Sequence, residues 1–343
     1  PAYRVQSFVE ARAAVVEALR PGIGDLRAAV GSIGDPERGQ LLLVGRRQFA
    51  RIERDARHVV RGADRDLLRR RKAVLLPGAA NALAARVIED LGFQAIYVTG
   101  AGVTNTFLGM PDIGLITLSE LARHVSAMRD VVALPLIVDA DTGFGNPINV
   151  GRTIKVLERS GANAIQLEDQ DFPKKCGHFS GKSVIARGEM VQKIHAAVDA
   201  RNDADLVIVA RTDAIAVNGF TDAMERAAAY IEAGADMTFV EAPRSKEQIA
   251  DIPKRLAVPQ LINIVAGGLT PMIDFAELET MGYSMVLYAN AALQASVAGM
   301  QKVLGHLKER GSLDGVADDL ASFAERQRLI GKPRYDELEK KYS

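Results

Sequence analysis

From residue 72 onward the chain alternates short apolar runs with amphipathic stretches. The runs are Ala73–Gly78, Ala95–Gly100, Leu134–Asp141, Ala164–Gln170, Leu206–Asp213, Met237–Ala242, Pro259–Val265 and Tyr283–Asn290. Near-continuous apolar character is what a strand needs when both of its faces are covered. Between the runs, Asn81–Leu91, Ile148–Ser160, Glu189–Ala200, Thr221–Ala233 and Pro271–Met281 carry helical spacing, and Gly92, Gly161, Gly234 and Gly282 stand where a helix C′ residue is expected. Strand–helix units repeated eight times over residues 72–310 predict an α/β fold of the (β/α)8 barrel type in preference to an open doubly wound sheet.

Nearly every run is apolar first and polar last. The terminal polar residues are Thr99, Asp139 and Asp141, Glu168 and Asp169, Arg211 and Asp213, Glu241, Asn263 and Asn290. Burying unpaired charge is costly, so such groups must be paired, solvated or bound to an ion. In a barrel the C-terminal strand ends form the active-site face, so this placement predicts an enzyme.

Residues 1–71 follow a different pattern. Helical spacing over Val5–Leu19 and Arg46–Val60 is separated by a Gly/Pro-rich stretch, Pro21–Pro36. This segment holds fifteen Arg, no Lys and nine acids, and is expected to be a helical extension. Residues 311–343 are expected to form a C-terminal helical tail. The whole chain has 43 basic and 43 acidic side chains, so its bulk charge points to neither a nucleic-acid nor a membrane partner. A single cysteine, Cys176, excludes an internal disulfide framework and suits a reducing, cytoplasmic setting. No apolar run approaches the roughly 20 residues of a membrane span, and the first residues lack the apolar core of a secretory signal. The five His are scattered without a metal-binding pair.

Two constellations carry the candidate chemistry. In Val138-Asp-Ala-Asp-Thr-Gly-Phe-Gly-Asn146, alternate residues of a strand would point Asp139 and Asp141 the same way. Like charges so close call for a cation, and few carboxylates with water suit Mg²⁺ or Mn²⁺. Glu168, on the next strand end, can complete the set. The competing reading is an Asp that caps the following helix.

The second constellation is Phe172-Pro-Lys-Lys-Cys-Gly-His-Phe-Ser-Gly-Lys182, expected to be a loop over the barrel mouth. A thiol beside ammonium groups and an imidazole exchanges protons near neutral pH. Arg211 could grip a substrate carboxylate, with Glu241 and Asn263 bonding it or fixing Arg211. Thr99-Gly-Ala-Gly102 is expected to be a tight turn whose amides hold an anion. It lacks the third Gly of a dinucleotide fingerprint.

With Lys174-Lys-Cys-Gly-His178, Asp139-Ala-Asp-Thr-Gly-Phe-Gly145 and Glu168-Asp-Gln170, the chain from about residue 72 resembles the isocitrate lyase/phosphoenolpyruvate mutase superfamily, in its Cys-Gly-His lyase branch. The resemblance does not extend to residues 1–71. It implies Mg²⁺-dependent carbon–carbon cleavage of a 2-hydroxy or 2-oxo acid. By resemblance, Asp139 and Asp141 hold the metal with Glu168 in support. Thr99, Gly100 and Ala101 bind the 2-oxo product, with Asp112 nearby, and Arg211 binds substrate oxygen. Cys176 is the acid, assisted by Lys174 and His178, while Gly177 belongs to the same loop and Glu241 and Asn263 line the opposite wall.

Three departures from methylisocitrate lyases point to a dicarboxylate substrate of the 2-alkylmalate or oxaloacetate type. They are Phe179-Ser-Gly-Lys182 after the His, Asn263-Ile-Val-Ala-Gly-Gly268, and Tyr288-Ala-Asn-Ala-Ala-Leu-Gln294, where those enzymes end in Arg. Methylisocitrate is the alternative substrate, and a non-catalytic carboxylate-binding barrel the alternative of a different class. The family also implies a homotetramer with C-terminal helices exchanged between subunits.

Overall fold

The computed structural model of the chain describes residues 72–175, 177 and 181–343. The expectations for residues 1–71, for Cys176 and for His178 therefore lie outside the described residues.

Eight parallel strands close into a barrel in sequence order, with the first pairing the last. They are β1 Val74–Ala79, β2 Ile96–Val98, β3 Leu136–Asp139, β4 Ala164–Glu168, β5 Val207–Thr212, β6 Met237–Val240, β7 Gln260–Asn263 and β8 Met285–Tyr288. Each falls within one of the eight apolar runs, allowing for a residue at the end of β1. The runs are continuous because the two faces of each strand feed two different cores. In β5, Val207 and Val209 join Leu76, Tyr97, Ile137, Phe239 and Leu287 inside the barrel. Leu206, Ile208 and Ala210 face the other way, into the layer between sheet and helices. Each fully buried aliphatic side chain contributes about 1.5–3 kcal/mol, so apolar residues on both faces stabilise the barrel.

The outer ring comprises α1 Ala82–Asp90, α2 Gly100–Leu108, α3 Leu118–Arg129, α4 Pro147–Ser160, α5 Arg187–Ala200, α6 Ile215–Asn218, α7 Phe220–Glu232, α8 Lys246–Arg255, α9 Phe275–Met281 and α10 Ala291–Arg310. Their starts obey local chemistry. Asn81 and Ser245 cap α1 and α8, and Thr117 forms a capping box with Glu120 at α3. α4 is capped by Asn146 and opens on Pro147, so neither Asp139 nor Asp141 is spent as a helix cap. α4 ends on Gly161 and α9 on Gly282, both left-handed, a conformation that costs a side-chain-bearing residue about 1–2 kcal/mol.

Beyond the barrel lie α11 Phe323–Leu329 and α12 Lys332–Tyr342. Arg328 grips Asp90 at the end of α1 through both terminal nitrogens, at 2.8 and 2.6 Å. α10 carries an exposed apolar stripe, Val297, Met300, Leu304 and Leu307, at helical spacing. No described helix is long and apolar enough to cross a membrane.

Candidate active site

Strand alternation builds the mouth of the barrel. The inward residues Tyr97, Ile137, Gln166, Val209, Phe239 and Leu261 are each followed, two positions on, by Thr99, Asp139, Glu168, Arg211, Glu241 and Asn263. The same parity that fills the core thus delivers a ring of polar groups to the C-terminal face. A cavity there is lined by Thr99, Ala101, Asp112, Asp139, Lys174, Gly177, Arg211, Glu241 and Asn263, together with Tyr97, Lys175, Phe239, Leu287, Ala289 and Asn290.

Two local expectations are corrected. Thr99–Gly102 is not a free-standing turn but the start of α2: Thr99 is the N-cap, and its hydroxyl accepts from the Gly102 amide at 3.2 Å. Two glycines in four residues hide the helix from a propensity reading. The first-turn amides of a helix have no intrahelical partner, so Gly100 and Ala101 still present N–H groups at a positive helix end. Secondly, Asp139 and Asp141 do not share a strand. β3 ends at Asp139, and Asp141 turns back with a left-handed φ of 47°, an uncommon conformation for a non-glycine residue. Their carboxylates nevertheless converge. A Cβ added to Gly100 would stand 3.2 Å from an oxygen of each, so glycine lets the helix end approach both carboxylates without displacing them.

Asp139 is oriented by a buried relay. Tyr97 Oη donates to Gln166 Oε1 at 2.8 Å, and Gln166 Nε2 donates to Asp139 Oδ1 at 3.1 Å. The Asp141 amide also donates to Asp139 Oδ1, at 3.2 Å.

Lys174 is the cation of this cluster. Its Nζ lies 2.5 Å from Asp112 and 2.7 Å from Asp141. Burial works against its charge, but the carboxylates of Asp141, Glu168, Asp112 and Asp139 prevail and hold the ammonium well above its ordinary range. Burial pushes the Asp141 carboxyl up to about 6, against the pull of Lys174 and with the repulsion of Asp139 and Asp112.

Across the mouth, Arg211 is clasped rather than free. Its Nε and Nη2 donate to the two oxygens of Asp213 at 2.8 and 3.1 Å, so that edge of the fork is already engaged. Nε also lies 3.3 Å from Glu168, and Nη2 lies 3.8 Å from Glu241. Burial drives Glu168 well upward against the Arg211 cation. Asp213 goes the other way. Burial opposes its charge, but Arg211 and Lys182 outweigh it and bring the carboxyl down to about 2.

Asp169, next to Glu168 but of opposite parity, points behind the strands. There it accepts from Thr212 and Tyr230 at 2.7 and 2.8 Å and from the Asp213 amide at 2.9 Å. Asp213, Lys182, the Tyr97–Gln166 relay and Asn290 were absent from the sequence-derived site. Asp213 and Asn290 did carry a signal there, as polar residues at strand ends.

A divalent cation can be tested against these donors. Among the described residues no group of three acidic, His or Cys side chains forms a complete protein cage. Mg²⁺ needs none, since it retains several waters and takes one or two carboxylates. Glu168 Oε1 is buried without a hydrogen-bond partner among the described residues, and it stands in the same mouth as the converging Asp139 and Asp141. An orphaned carboxylate oxygen beside a like-charged pair fits a hydrated Mg²⁺.

A closed (β/α)8 barrel with buried carboxylates, a lysine and an arginine gathered at its C-terminal mouth defines an enzyme scaffold for anionic substrates. The chain belongs to the phosphoenolpyruvate phosphomutase family, whose profile matches residues 65–308, within the phosphoenolpyruvate mutase/isocitrate lyase superfamily. It is 43% identical to 2,3-dimethylmalate lyase of Eubacterium barkeri over 81% of this chain and 96% of that protein. It is 46% identical to a 2-methylisocitrate lyase of Aeropyrum pernix, over 81% of this chain and 90% of that protein. Among solved structures, one of oxaloacetate acetylhydrolase with 3,3-difluorooxalacetate superposes with a TM-score of 0.77 at 35% identity, covering 81% of this chain and 95% of that one. These relatives are carbon–carbon cleaving enzymes of the superfamily.

Proposed function

We propose that the chain is a Mg²⁺-dependent carbon–carbon lyase that cleaves a 2-hydroxy or 2-oxo dicarboxylate of the 2-alkylmalate or oxaloacetate type. A 2-hydroxy substrate gives a 2-oxo acid, such as pyruvate, and a carboxylate, whereas a 2-oxo substrate cleaved as its hydrate gives two carboxylates. The observation that carries the reading is the mouth itself, where Lys174 contacts Asp141, Arg211 contacts Glu168, and Lys174, Arg211, Asp139, Thr99 and Ala101 line one cavity.

In this reading Asp139 and Asp141 hold Mg²⁺, with Glu168 in support and Mn²⁺ as a substitute. When bound, the metal neutralises charge on the substrate's carboxylate and C2 oxygen. The Gly100 and Ala101 amides and the Thr99 hydroxyl bind the carboxylate that becomes part of the 2-oxo acid, with Asp112 holding Lys174 beside it. Arg211 stabilises negative charge that develops on the departing fragment. The C2 hydroxyl passes its proton to a carboxylate of the mouth, its electrons form the carbonyl, and the C2–C3 bond breaks. The departing enolate of the carboxylate then takes a proton at carbon from Cys176. His178 and Lys174 sustain that proton donor, and Glu241, Asn263 and Gly177 shape the wall facing it. A 2-oxo substrate would first take up water at C2, and the same bond breaking then leaves C2 as a carboxyl group, so that oxaloacetate gives oxalate and acetate.

Methylisocitrate is the second reading, favoured by the similarity to the Aeropyrum pernix protein. Against it, the position compared with the Arg of methylisocitrate lyases holds Gln294, which is exposed and outside the cavity lining. The exposed stripe on α10 supports a homotetramer, and the lone thiol supports a reducing, cytoplasmic setting. Release of a 2-oxo acid from 2,3-dimethylmalate, 2-ethyl-3-methylmalate, 2-methylisocitrate or isocitrate, followed by a coupled dehydrogenase, and conversion of oxaloacetate to oxalate and acetate test the assignment. Binding of oxo acids without turnover of any of these would favour the non-catalytic barrel.

A further inference from the structure

Lys182 lies outside the set of residues assigned above, yet its side chain is among the most enclosed charged ones of the described residues. Its side chain is 1% exposed, and that of its partner Asp213 is fully buried. Holding a lysine there is expensive unless each of its bonds is strong. Two are present. Nζ lies 2.7 Å from Asp213 Oδ1, and it donates to the Gly177 carbonyl at 2.5 Å.

Both partners abut the reacting region. Asp213 is the residue that clasps Arg211, so Lys182 and Arg211 share one carboxylate from two sides. Gly177 packs so tightly against the same group that an added Cβ would stand 2.1 Å from Glu241 Oε1 and 2.5 Å from Arg211 Nη2. Lys182 thus closes a ring through Asp213, Arg211 and Gly177, and joins the β5 end to the backbone between Cys176 and His178.

We infer that Lys182 is a positioning residue, which sets the placement of the Gly177 backbone relative to Arg211 and so the reach of the residues flanking it in the chain. This rests on the lyase reading for its effect on turnover, but not for its effect on the thiol. With Lys182 removed, the Gly177 carbonyl loses its donor, and Asp213 is left with Arg211 as its one cationic side-chain partner among the described residues. A charge-neutral side chain of similar length can fill the space but cannot tie the two together.

The test uses the full-length protein, wild type, Lys182→Met and Lys182→Arg, with two readouts. The first is the alkylation rate of Cys176, the single thiol, by iodoacetamide, followed by mass spectrometry without substrate. The second is turnover of whichever acid the wild type cleaves. We expect Lys182→Met to be alkylated several-fold faster and to lose kcat by about 100-fold, the cost of a misplacement near 1 Å, with KM changed far less. Lys182→Arg, which keeps a cationic donor, should recover part of both. If Lys182→Met does not fold, Lys182→Arg is judged against wild type alone and should still lose kcat by about tenfold. Unchanged alkylation and unchanged kcat in a folded variant would overturn the inference. A wild type that cleaves nothing on the panel contradicts the lyase reading instead, and the alkylation rates then decide the role of Lys182.

Discussion

The ammonium of Lys174 stands 2.7 Å from a carboxylate oxygen of Asp141, and both side chains are buried at the mouth of the barrel. Each determines the charge of the other. Without Lys174, burial and the neighbouring Asp139 and Asp112 would push Asp141 above the value near 6 that it has now. Lys174→Met should therefore reduce turnover by about 100-fold or more, the usual scale for loss of a positioned charged group. Initial rates under saturating Mg²⁺ check this, and a loss of less than about threefold would remove Lys174 from the active machinery.

Cys176→Ser separates chemistry from binding. A hydroxyl does not give up its proton near neutral pH as a thiol does. The variant should lose turnover while retaining affinity for Mg²⁺ and for pyruvate by titration calorimetry. Turnover near that of the wild type would exclude the thiol as the proton donor.

Asp213 links the site to acid stability. Its carboxyl is held at about 2, below the ordinary 3.8, because Arg211 and Lys182 outweigh the effect of burial. The folded state thus binds this proton less readily than the unfolded chain. The stabilisation is fully present above about pH 4 and is lost as pH falls toward 2. Urea melts at a series of pH values should show Asp213→Asn less stable than wild type at pH 7, with the gap narrowing below pH 4. A gap independent of pH would contradict this.

The strands and the ring of strand-end residues could be read directly from the residues because one rule governs both. A parallel strand covered on two faces is apolar throughout, and inward parity then carries Thr99, Asp139, Glu168, Arg211, Glu241 and Asn263 to the mouth. What escaped that reading depends on contacts distant in sequence. Nothing local pairs Lys182 with Asp213, or Tyr97 with Gln166, and Asp169 looks equivalent to Glu168 until strand parity turns it outward to Thr212 and Tyr230. Asp141 was placed near Asp139 for the wrong reason, since a left-handed turn brings it there and not strand alternation. The start of α2 was missed because a capping Thr99 outweighs the poor helix propensity of Gly100 and Gly102.

The stripe on α10 predicts assembly. Val297, Met300, Leu304 and Leu307 are between 39% and 58% exposed and lie along one side of the helix. Sedimentation should give the wild type the mass of four chains and Leu304→Glu a smaller mass. A wild-type monomer would contradict the proposed homotetramer.

In the proposed function, carboxylates, Mg²⁺ and a lysine–arginine pair cooperate to break a carbon–carbon bond. The most direct measurement is production of a 2-oxo acid from 2,3-dimethylmalate with Mg²⁺, with excess chelator, and by Asp139→Asn. We predict release of pyruvate with Mg²⁺, its abolition by chelator, and a loss of about 100-fold or more in the variant. No 2-oxo acid from this substrate or the other 2-hydroxy acids of the panel, and no oxalate from oxaloacetate, with Mg²⁺ bound and the protein folded, would rule out the proposed lyase.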